Sequence, residues 1–383
     1  MSDYQRHVRW YHFLRPVVRG PFRRLFGFTG EVLAPGTSPF LLVANHNCDL
    51  DAGMIGISSP EHMYFLASEH VYRRGFASKL LKRYFAPIAR VKGTTDAFAA
   101  LSMIRWIKKG VSCCLFAEGN RSFNGVTGNV MPATGKLAKA TGAALITYRL
   151  EGGYLTTPRW AYTRRVGKML GYCVNVYTPE QLKQMTAEEV NQAIARDIYE
   201  DAFARQREEP VRFHGKRLAE GLERALYICP HCHGIDTMHG KDDHFTCTCG
   251  YSVKYNEYGF FEGDDLAFET VLDWDRWQTE QMHKIVEKAD ETVLFSDENK
   301  TLAKIDAGKD GSIVATGTLS LSGTALTLGE RTFLLQDIAD MSLYGAANIM
   351  FTDRAGEHYE IRNHPTGCGR KYVTFYEEWK KMR

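Results

Sequence analysis

The run Asn45-His46-Asn47-Cys48-Asp49-Leu50-Asp51 follows a short apolar stretch, residues 40–44. A buried strand ending there would deliver Asn45 and His46 to the edge of a sheet, where active residues of α/β proteins gather. Asp51 lies five positions after His46, about one and a half turns if a helix begins at this point. Its carboxylate could then reach back to one imidazole nitrogen. Such a partner fixes the tautomer and steadies the imidazolium while the other nitrogen accepts a proton. The spacing alone decides nothing. With 13 histidines in the chain, about one His-x4-Asp match arises by chance, and His231 with Asp236 supplies one.

A second constellation gives the first its meaning. Residues 112–116 read as another buried strand, and they run directly into Ala117-Glu118-Gly119-Asn120-Arg121-Ser122. Glycine after a strand lets the backbone turn sharply and approach a ligand. Glu118 and Arg121 would flank an opening suited to hydroxyl and phosphate recognition, Arg forking onto phosphate oxygens. Between the two motifs, residues 71–95 carry Arg73, Arg74, Lys79, Lys82, Arg83, Arg90 and Lys92 and no acid. That composition predicts an anion-binding surface beside a general base.

A third group has metal-ligand spacing. Cys229-Pro230-His231-Cys232 precedes Cys247-Thr248-Cys249-Gly250 by 14 residues. Four thiolates from two short loops can close a tetrahedral zinc site, and the glycine permits a tight knuckle. The second pair is C-x-C where C-x-x-C is usual. His231, His233, His239 or His244 could replace one thiolate, and a redox dithiol at Cys229 and Cys232 is the competing reading. Structural zinc on Cys229, Cys232, Cys247 and Cys249 is the expectation. A closed four-ligand site leaves no open position for catalysis.

The elements that must position these groups are legible from periodicity. Strand-like runs fall at 40–44, 63–66, 112–116, 143–149 and 172–177, with helical periodicity at 97–109 and 133–141 and Gly110 and Gly142 as stop signals. The alternation predicts an α/β domain, a mixed sheet flanked by helices. Residues 180–226 read as helical throughout, with a capped start at Thr186-Ala187-Glu188-Glu189. Residues 264–290 return to an acidic helical pattern. Short β-type runs then recur from Glu291 to Arg362, and a helix closes the chain at about residues 372–381. The expected organisation is an N-terminal segment 1–30, an α/β domain 31–226, a zinc-ribbon-like module 227–262, a helical connector 263–290 and a β-rich domain 291–383. In the first segment, Arg6, Arg9, Arg15, Arg19, Arg23 and Arg24 face a single acid, Asp3, and Trp10, Leu14, Val17 and Val18 keep helical spacing until Pro16 and Pro21 interrupt or bend it. Basic amphipathic helices with aromatics suit a membrane interface. An N-terminal helix packed on its own domain is the plainer alternative.

Bulk charge is divided unevenly. Counting Lys and Arg against Asp and Glu, residues 1–228 carry a balance of +13 and residues 229–383 one of −10. Only the first half is therefore suited to an anionic partner. The acidic surroundings of the cysteines argue against nucleic acid. No stretch reaches the roughly 18 apolar residues of a membrane span, and arginines break up the N-terminus where a signal peptide would be apolar. Nine cysteines without an export signal fit a reducing cytoplasm. The expected location is cytoplasmic, peripheral or monotopic on the inner face of a membrane.

With these residues assembled, the chain resembles the glycerophospholipid acyltransferases, typified by 1-acylglycerol-3-phosphate acyltransferase. Residues 45–51 are similar to the family's Asn-His-x-Ser-x-x-Asp motif, and Phe116 through Ser122 to Phe-Pro-Glu-Gly-Thr-Arg-Ser. Ala86-Pro87-Ile88-Ala89-Arg90 resembles the short apolar motif ending in Arg, and Met131-Pro132-Ala133-Thr134-Gly135 also matches. The resemblance covers residues 10–205. It implies His46 as general base, Asp51 as its orienting partner, and Asn45, Arg90, Glu118, Gly119, Arg121 and Ser122 around the acceptor. It implies an acyl-CoA or acyl carrier protein thioester as donor, a lysophospholipid acceptor and a phospholipid surface, with acyl carrier protein a possible partner. The chemistry fits, because an alcohol is a poor nucleophile until a base removes its proton. No covalent intermediate is implied, and Cys48 stands where the family has Ser. Ala117 for Pro and Asn120 for Thr depart from the third motif, and the strand at 143–148 lacks the prolines of the fourth. These changes bear on the acceptor, which on the resemblance is lysophosphatidate, with glycerol phosphate or an amino lipid as alternatives. The β-rich tail resembles a pleckstrin-homology or GRAM-like module in architecture only. A non-catalytic lipid-binding or scaffolding protein is the competing class, and it has no physical use for His46, Asp51, Glu118 and Arg121 together.

Overall fold

The computed structural model describes residues 3–31, 38–68, 88–90, 96–305, 311–362 and 367–383. Two compact units are present, one of Met1–Pro158 with Arg164–Gly215, the other of Arg159–Thr163 with Lys216–Arg383. The basic residues Arg73, Arg74, Lys79, Lys82, Arg83 and Lys92 lie outside the described residues.

The first unit is built on seven strands: β1 (Phe28–Gly30), β2 (Phe40–Ala44), β3 (Met63–Ser68), β4 (Ile88–Arg90), β5 (Ser112–Phe116), β6 (Ala144–Glu151) and β7 (Met169–Tyr177). They form one sheet in the order β1-β7-β6-β2-β5-β3-β4. Every neighbouring pair is parallel except β6 with β7. The sheet is thus mixed, as expected, through the one antiparallel pair β6–β7. Its helices are α1 (Asp3–Phe26), α2 (Asp51–Ser58), α3 (Asp96–Lys108), α4 (Ala133–Thr141), α5 (Gly153–Thr156), α6 (Pro179–Gln184), α7 (Ala187–Ile198) and α8 (Ala202–Glu208).

Strand β2 shows why its sequence is apolar at every position. Leu41 and Val43 pack with Met103 and Ile107 of α3 and Val190 and Ile194 of α7. Phe40, Leu42 and Ala44 pack on the opposite face with Met54, Ile55 and Ile57 of α2. Helices cover both faces, so no position of the strand can be polar. Helix α7 opens on a full capping box: the Thr186 hydroxyl accepts from Glu189 N at 3.2 Å, and the Glu189 carboxylate accepts from Thr186 N at 2.6 Å. Helix α4 ends at Gly142 in the left-handed conformation, φ 66°, which a side chain would strain.

Two sequence expectations change here. The helical reading of 180–226 resolves into three short helices and ends at Glu208, where Pro210 keeps Glu209 out of the helical region, φ −131° and ψ 88°; beyond it only a 3-10 turn at Leu222–Arg224 follows. At the N-terminus a single helix runs from Asp3 to Phe26 with Pro16 and Pro21 inside it, so of the expected interruption or bend the interruption does not occur. It is anchored by buried Tyr11, whose hydroxyl donates to Gly56 O at 2.5 Å and Ser59 O at 2.8 Å. Trp10, Phe13, Val17, Val18 and Leu25 are left exposed. Among the described residues, no helix is long and apolar enough to cross a membrane.

The second unit contains an antiparallel meander of β8 (Met238–Lys241), β9 (His244–Cys247), β10 (Ser252–Tyr255) and β11 (Phe261–Glu262), followed by helix α9 (Val271–Glu287). Trp274 of α9 is fully buried against Phe245, Tyr251, Phe261 and Phe268. The tail holds β12 (Val293–Ile305), β13 (Ser312–Ser322), β14 (Ala325–Leu328), β15 (Arg331–Leu334), β16 (Ile338–Tyr344), β17 (Asn348–Asp353), β18 (His358–Arg362) and the closing helix α10 (Arg370–Lys381). All neighbours are antiparallel, in the order β15-β14-β13-β12-β18-β17-β16. Where short β-type runs are expected after Glu291, Val293–Ile305 forms one long bulged strand, β12. Lys371 of α10 is fully buried and neutralised by Asp236 and by Asp297, the latter at 2.8 Å. A buried ammonium needs such partners.

Candidate active site

The two motifs meet because their strands are adjacent and parallel. In the β2–β5 ladder Ala44 pairs with Phe116, so His46 and Glu118, each two residues further on, leave the sheet side by side. The His46 backbone N–H donates to Glu118 Oε1 at 2.6 Å, and Gly128 N donates to Oε2 at 2.6 Å. Ser122 N in turn donates to His46 O at 2.9 Å. The imidazole stacks on Phe116 with ring centroids 4.3 Å apart.

His46 Nδ1 lies 2.7 Å from Asp51 Oδ2. That oxygen also accepts from Asn47 N at 2.6 Å and Cys48 N at 2.9 Å, while Oδ1 accepts from Cys48 Sγ at 3.0 Å. An acceptor so supplied is a carboxylate, which assigns the proton to Nδ1 and the lone pair to Nε2. Asp51 is fully buried in the first turn of α2, while the His46 side chain is 24% exposed. The result is a partly accessible imidazole, oriented from behind by a buried charge, with one basic nitrogen free to take a proton. Burial and the Asp51 charge push the Cys48 thiol well above its ordinary value, so it stays a protonated donor to Asp51.

The remaining sequence-derived residues divide into those that brace the loops and those near an opening. Asn45 has a bracing role in place of the expected substrate contact: it is fully buried, Nδ2 donating to Leu150 O at 2.7 Å and Oδ1 accepting from Leu150 N at 2.8 Å. This amide continues the β2–β6 pairing past the end of β2. Glu118 likewise spends both oxygens on backbone amides rather than on an open ligand site. Burial pushes its carboxyl up to about 8, against the pull of the Gly128 and His46 N–H donors. Ser122 is buried, its hydroxyl donating to Val126 O at 2.8 Å and accepting from Gly125 N at 3.0 Å. Gly119 turns the chain at φ 71°, a left-handed conformation that suits glycine. Arg121 Nη1 lies 3.3 Å from Asp49, which is largely exposed. Arg90 ends β4 at the same edge of the sheet, two strands beyond β5; its side chain lies outside what is described.

Single-sequence reasoning missed Glu200 and the Asn47 side chain. Glu200 is buried, accepts from Asn47 Nδ2 and from Gly152 N, the latter at 2.9 Å, and follows α7 with no motif around it. Only its position among polar residues after a helix distinguishes it, which is no signal.

Asp51→Asn should lower kcat for the reaction proposed below by about 10³-fold. The amide puts an N–H where backbone donors and the imidazole need an acceptor, so the tautomer is lost while the packing is kept. Steady-state kinetics beside a thermal melt check this, with the melting temperature expected to move far less than the rate.

In the second unit the Sγ atoms of Cys229, Cys232, Cys247 and Cys249 all lie within 4.8 Å of one another. Cys229 to Cys249 is 3.9 Å and Cys232 to Cys247 is 3.7 Å. Four thiolates about 2.3 Å from a tetrahedral zinc would stand about 3.8 Å apart, so the donor set and its spacing fit a metal ion. Backbone amides steady the sulfurs, Gly234 N at 3.4 Å from Cys232 Sγ and Cys249 N at 3.5 Å from Cys247 Sγ. His231 Nδ1 is 3.8 Å from Cys249 Sγ, outside the quartet.

Residues 26–151 match the family model described as Acyltransferase. That segment, about a third of the chain, contains both motifs and the His46–Asp51 pair. Over that length the segment is similar to the acyltransferase family. No curated protein matches the chain. Among solved structures, the 1-acyl-sn-glycerophosphate (LPA) acyltransferase of Thermotoga maritima is similar at 21% identity and TM-score 0.39, over 45% of this chain and 72% of that one. The C-terminal domain of an unknown protein from Leishmania infantum is similar at 15% identity and TM-score 0.17, over 27% of this chain and 97% of that one.

Proposed function

We propose that this protein transfers a fatty-acyl group from a thioester donor, on coenzyme A or acyl carrier protein, to the free hydroxyl of lysophosphatidate at a membrane surface. The observation that carries the reading is the His46–Asp51 pair at the C-terminal edge of β2, inside an acyltransferase-family segment. His46 Nε2 takes the hydroxyl proton as the oxygen attacks the thioester carbonyl. The tetrahedral intermediate then expels the thiolate, which recovers that proton from the imidazolium. Asp51 holds the ring and stabilises its charged form throughout. Arg121 and Arg90 are the cations assigned to the acceptor phosphate, Arg121 exchanging its Asp49 contact for it.

The membrane part of the proposal is supported by α1, where exposed Trp10, Phe13 and Val17 lie among arginines. That composition suits the cytoplasmic face, where lipids are anionic. Zinc on the four cysteines is proposed as structural. The antiparallel order and closing helix of the tail support a pleckstrin-homology or GRAM-like module serving as a docking element.

The acceptor is tested by offering lysophosphatidate, glycerol phosphate and monoacylglycerol to the purified protein in vesicles with acyl-CoA. Lysophosphatidate is expected to react fastest, with monoacylglycerol slower by about 10²-fold for want of charged hydrogen bonds to phosphate. Equal rates for the phosphate-free acceptor would refute phosphate recognition.

A further inference from the structure

We propose that Glu200, which lies outside the acyltransferase-family segment, is a positioning residue for His46, acting through the side chain of Asn47. The inference rests on the acyl-transfer reading above for its kinetic consequence, though not for its geometry.

Glu200 stands where the two motif loops come together. Its Oε2 accepts from Asn47 Nδ2, and its Oε1 accepts from Gly152 N at 2.9 Å, just past the end of β6. Its backbone N–H donates to Thr127 Oγ1 at 2.8 Å, and its carbonyl accepts from Thr127 N at 2.9 Å. Gly128, the next residue, donates to Glu118, and Glu118 accepts from the His46 amide. On the other side, Asn47 N donates to the Asp51 oxygen that faces His46 Nδ1. A closed hydrogen-bonded circuit therefore runs from His46 through Glu118, residues 127–128, Glu200, Asn47 and Asp51 back to His46.

Without Glu200 the circuit opens at one place. Asn47 Nδ2 would retain only Leu150 O, at 2.8 Å, and Gly152 N would lose its side-chain acceptor. Asn47 would then be free to swing, and its amide N–H would move relative to Asp51. The Glu200 carboxyl reaches toward the His46 ring through Asn47, while its backbone link to Thr127 is kept in Glu200→Ala, so its role is positioning. Burial pushes the Glu200 carboxyl up to about 8; the Gly152 N–H, the Arg205 charge and the Asn47 amide oppose this, and Glu151 adds to it.

The test uses the full-length chain with 15N-labelled histidine, His46 being assigned by loss of its signals in His46→Gln. In wild type the ring spectrum should show one tautomer with Nδ1 protonated. Glu200→Ala and Asn47→Ala should each give mixed tautomers at His46 and lower kcat about 10- to 100-fold, with the acceptor KM within about threefold. The double variant should be no slower than Asn47→Ala alone, since both remove one link. If Glu200→Ala fails to fold, Asn47→Ala with Glu200→Gln carries the same comparison. A His46 spectrum unchanged in these variants, or kcat losses that multiply, would overturn the positioning role. A disturbed tautomer in a protein that transfers no acyl group would uphold the positioning and refute the acyl-transfer reading instead.

Discussion

His46→Ala is expected to lower kcat/KM for acyl transfer by about 10³-fold or more, because general-base assistance alone contributes about 10²- to 10⁴-fold. The geometry says why no neighbour would compensate. Asp51 is fully buried behind the ring, and the Cys48 thiol is buried and hydrogen-bonded to it. Glu118 is spent on two backbone amides. Removing the imidazole leaves the Asp51 carboxylate with its backbone and Cys48 donors, so the fold should survive. Release of free thiol from acyl-CoA, followed beside a circular-dichroism spectrum, separates the two effects. A variant that retains its spectrum and more than about a tenth of wild-type turnover would remove His46 from the mechanism.

The second large effect concerns the four-cysteine cluster. Stripping the proposed zinc with a strong chelator is expected to unfold the meander of β8–β11, because apparent binding free energies of structural zinc reach about 10–16 kcal/mol and are folding free energies. Two features would make the meander depend on the proposed zinc. Its strands are two to four residues long, too short to hold a sheet by themselves. Its two knuckles turn at His233, φ 59°, and Gly250, φ 98°, and apart from the sulfurs few bonds tie them, Thr248 N donating to Thr237 O at 3.0 Å and Cys247 Sγ to Thr237 Oγ1 at 3.2 Å among them. Elemental measurement on purified protein should return one zinc per chain, and Cys232→Ser with Cys249→Ser should reduce it to none. Near-ultraviolet circular dichroism should change on chelation through Trp274, whose ring sits on Phe245 and Tyr251. An unchanged spectrum and melting curve after complete metal removal would show that the aromatic core suffices alone. Unaltered acyl transfer after chelation is compatible with a structural metal, whereas instant loss with the fold intact would make it catalytic.

Much of the site is legible in the sequence because its logic is local. His46 and Asp51 are five residues apart, and the apolar runs before each motif declare buried strands. What single-residue types do not declare is which polar side chains face a ligand and which face the backbone. Asn45 and Glu118 look like ligands in the sequence, and their chemistry would allow it. In the fold, strand register puts the Leu150 amide and carbonyl beside Asn45, and the His46 and Gly128 amides beside Glu118. Buried backbone groups at the frayed end of a sheet must find partners, and these side chains are the nearest ones. Glu200 illustrates the opposite case, a residue far away in sequence that only tertiary pairing with residues 125–127 brings to the site. The reading of 180–226 as helical throughout fails beyond Glu208 for a local reason that periodicity ignores, the restriction Pro210 places on Glu209.

The measurement that bears most directly on the central claim is acyl transfer by the purified full-length chain in vesicles, supplied with lysophosphatidate and an acyl-CoA, with products identified by mass spectrometry. The account predicts phosphatidate formed in step with free coenzyme A, and no acylated protein at any time during turnover. No lipid product from a folded protein across phosphate-bearing and amino-lipid acceptors would contradict it, and would leave His46 and Asp51 as parts of a binding fold.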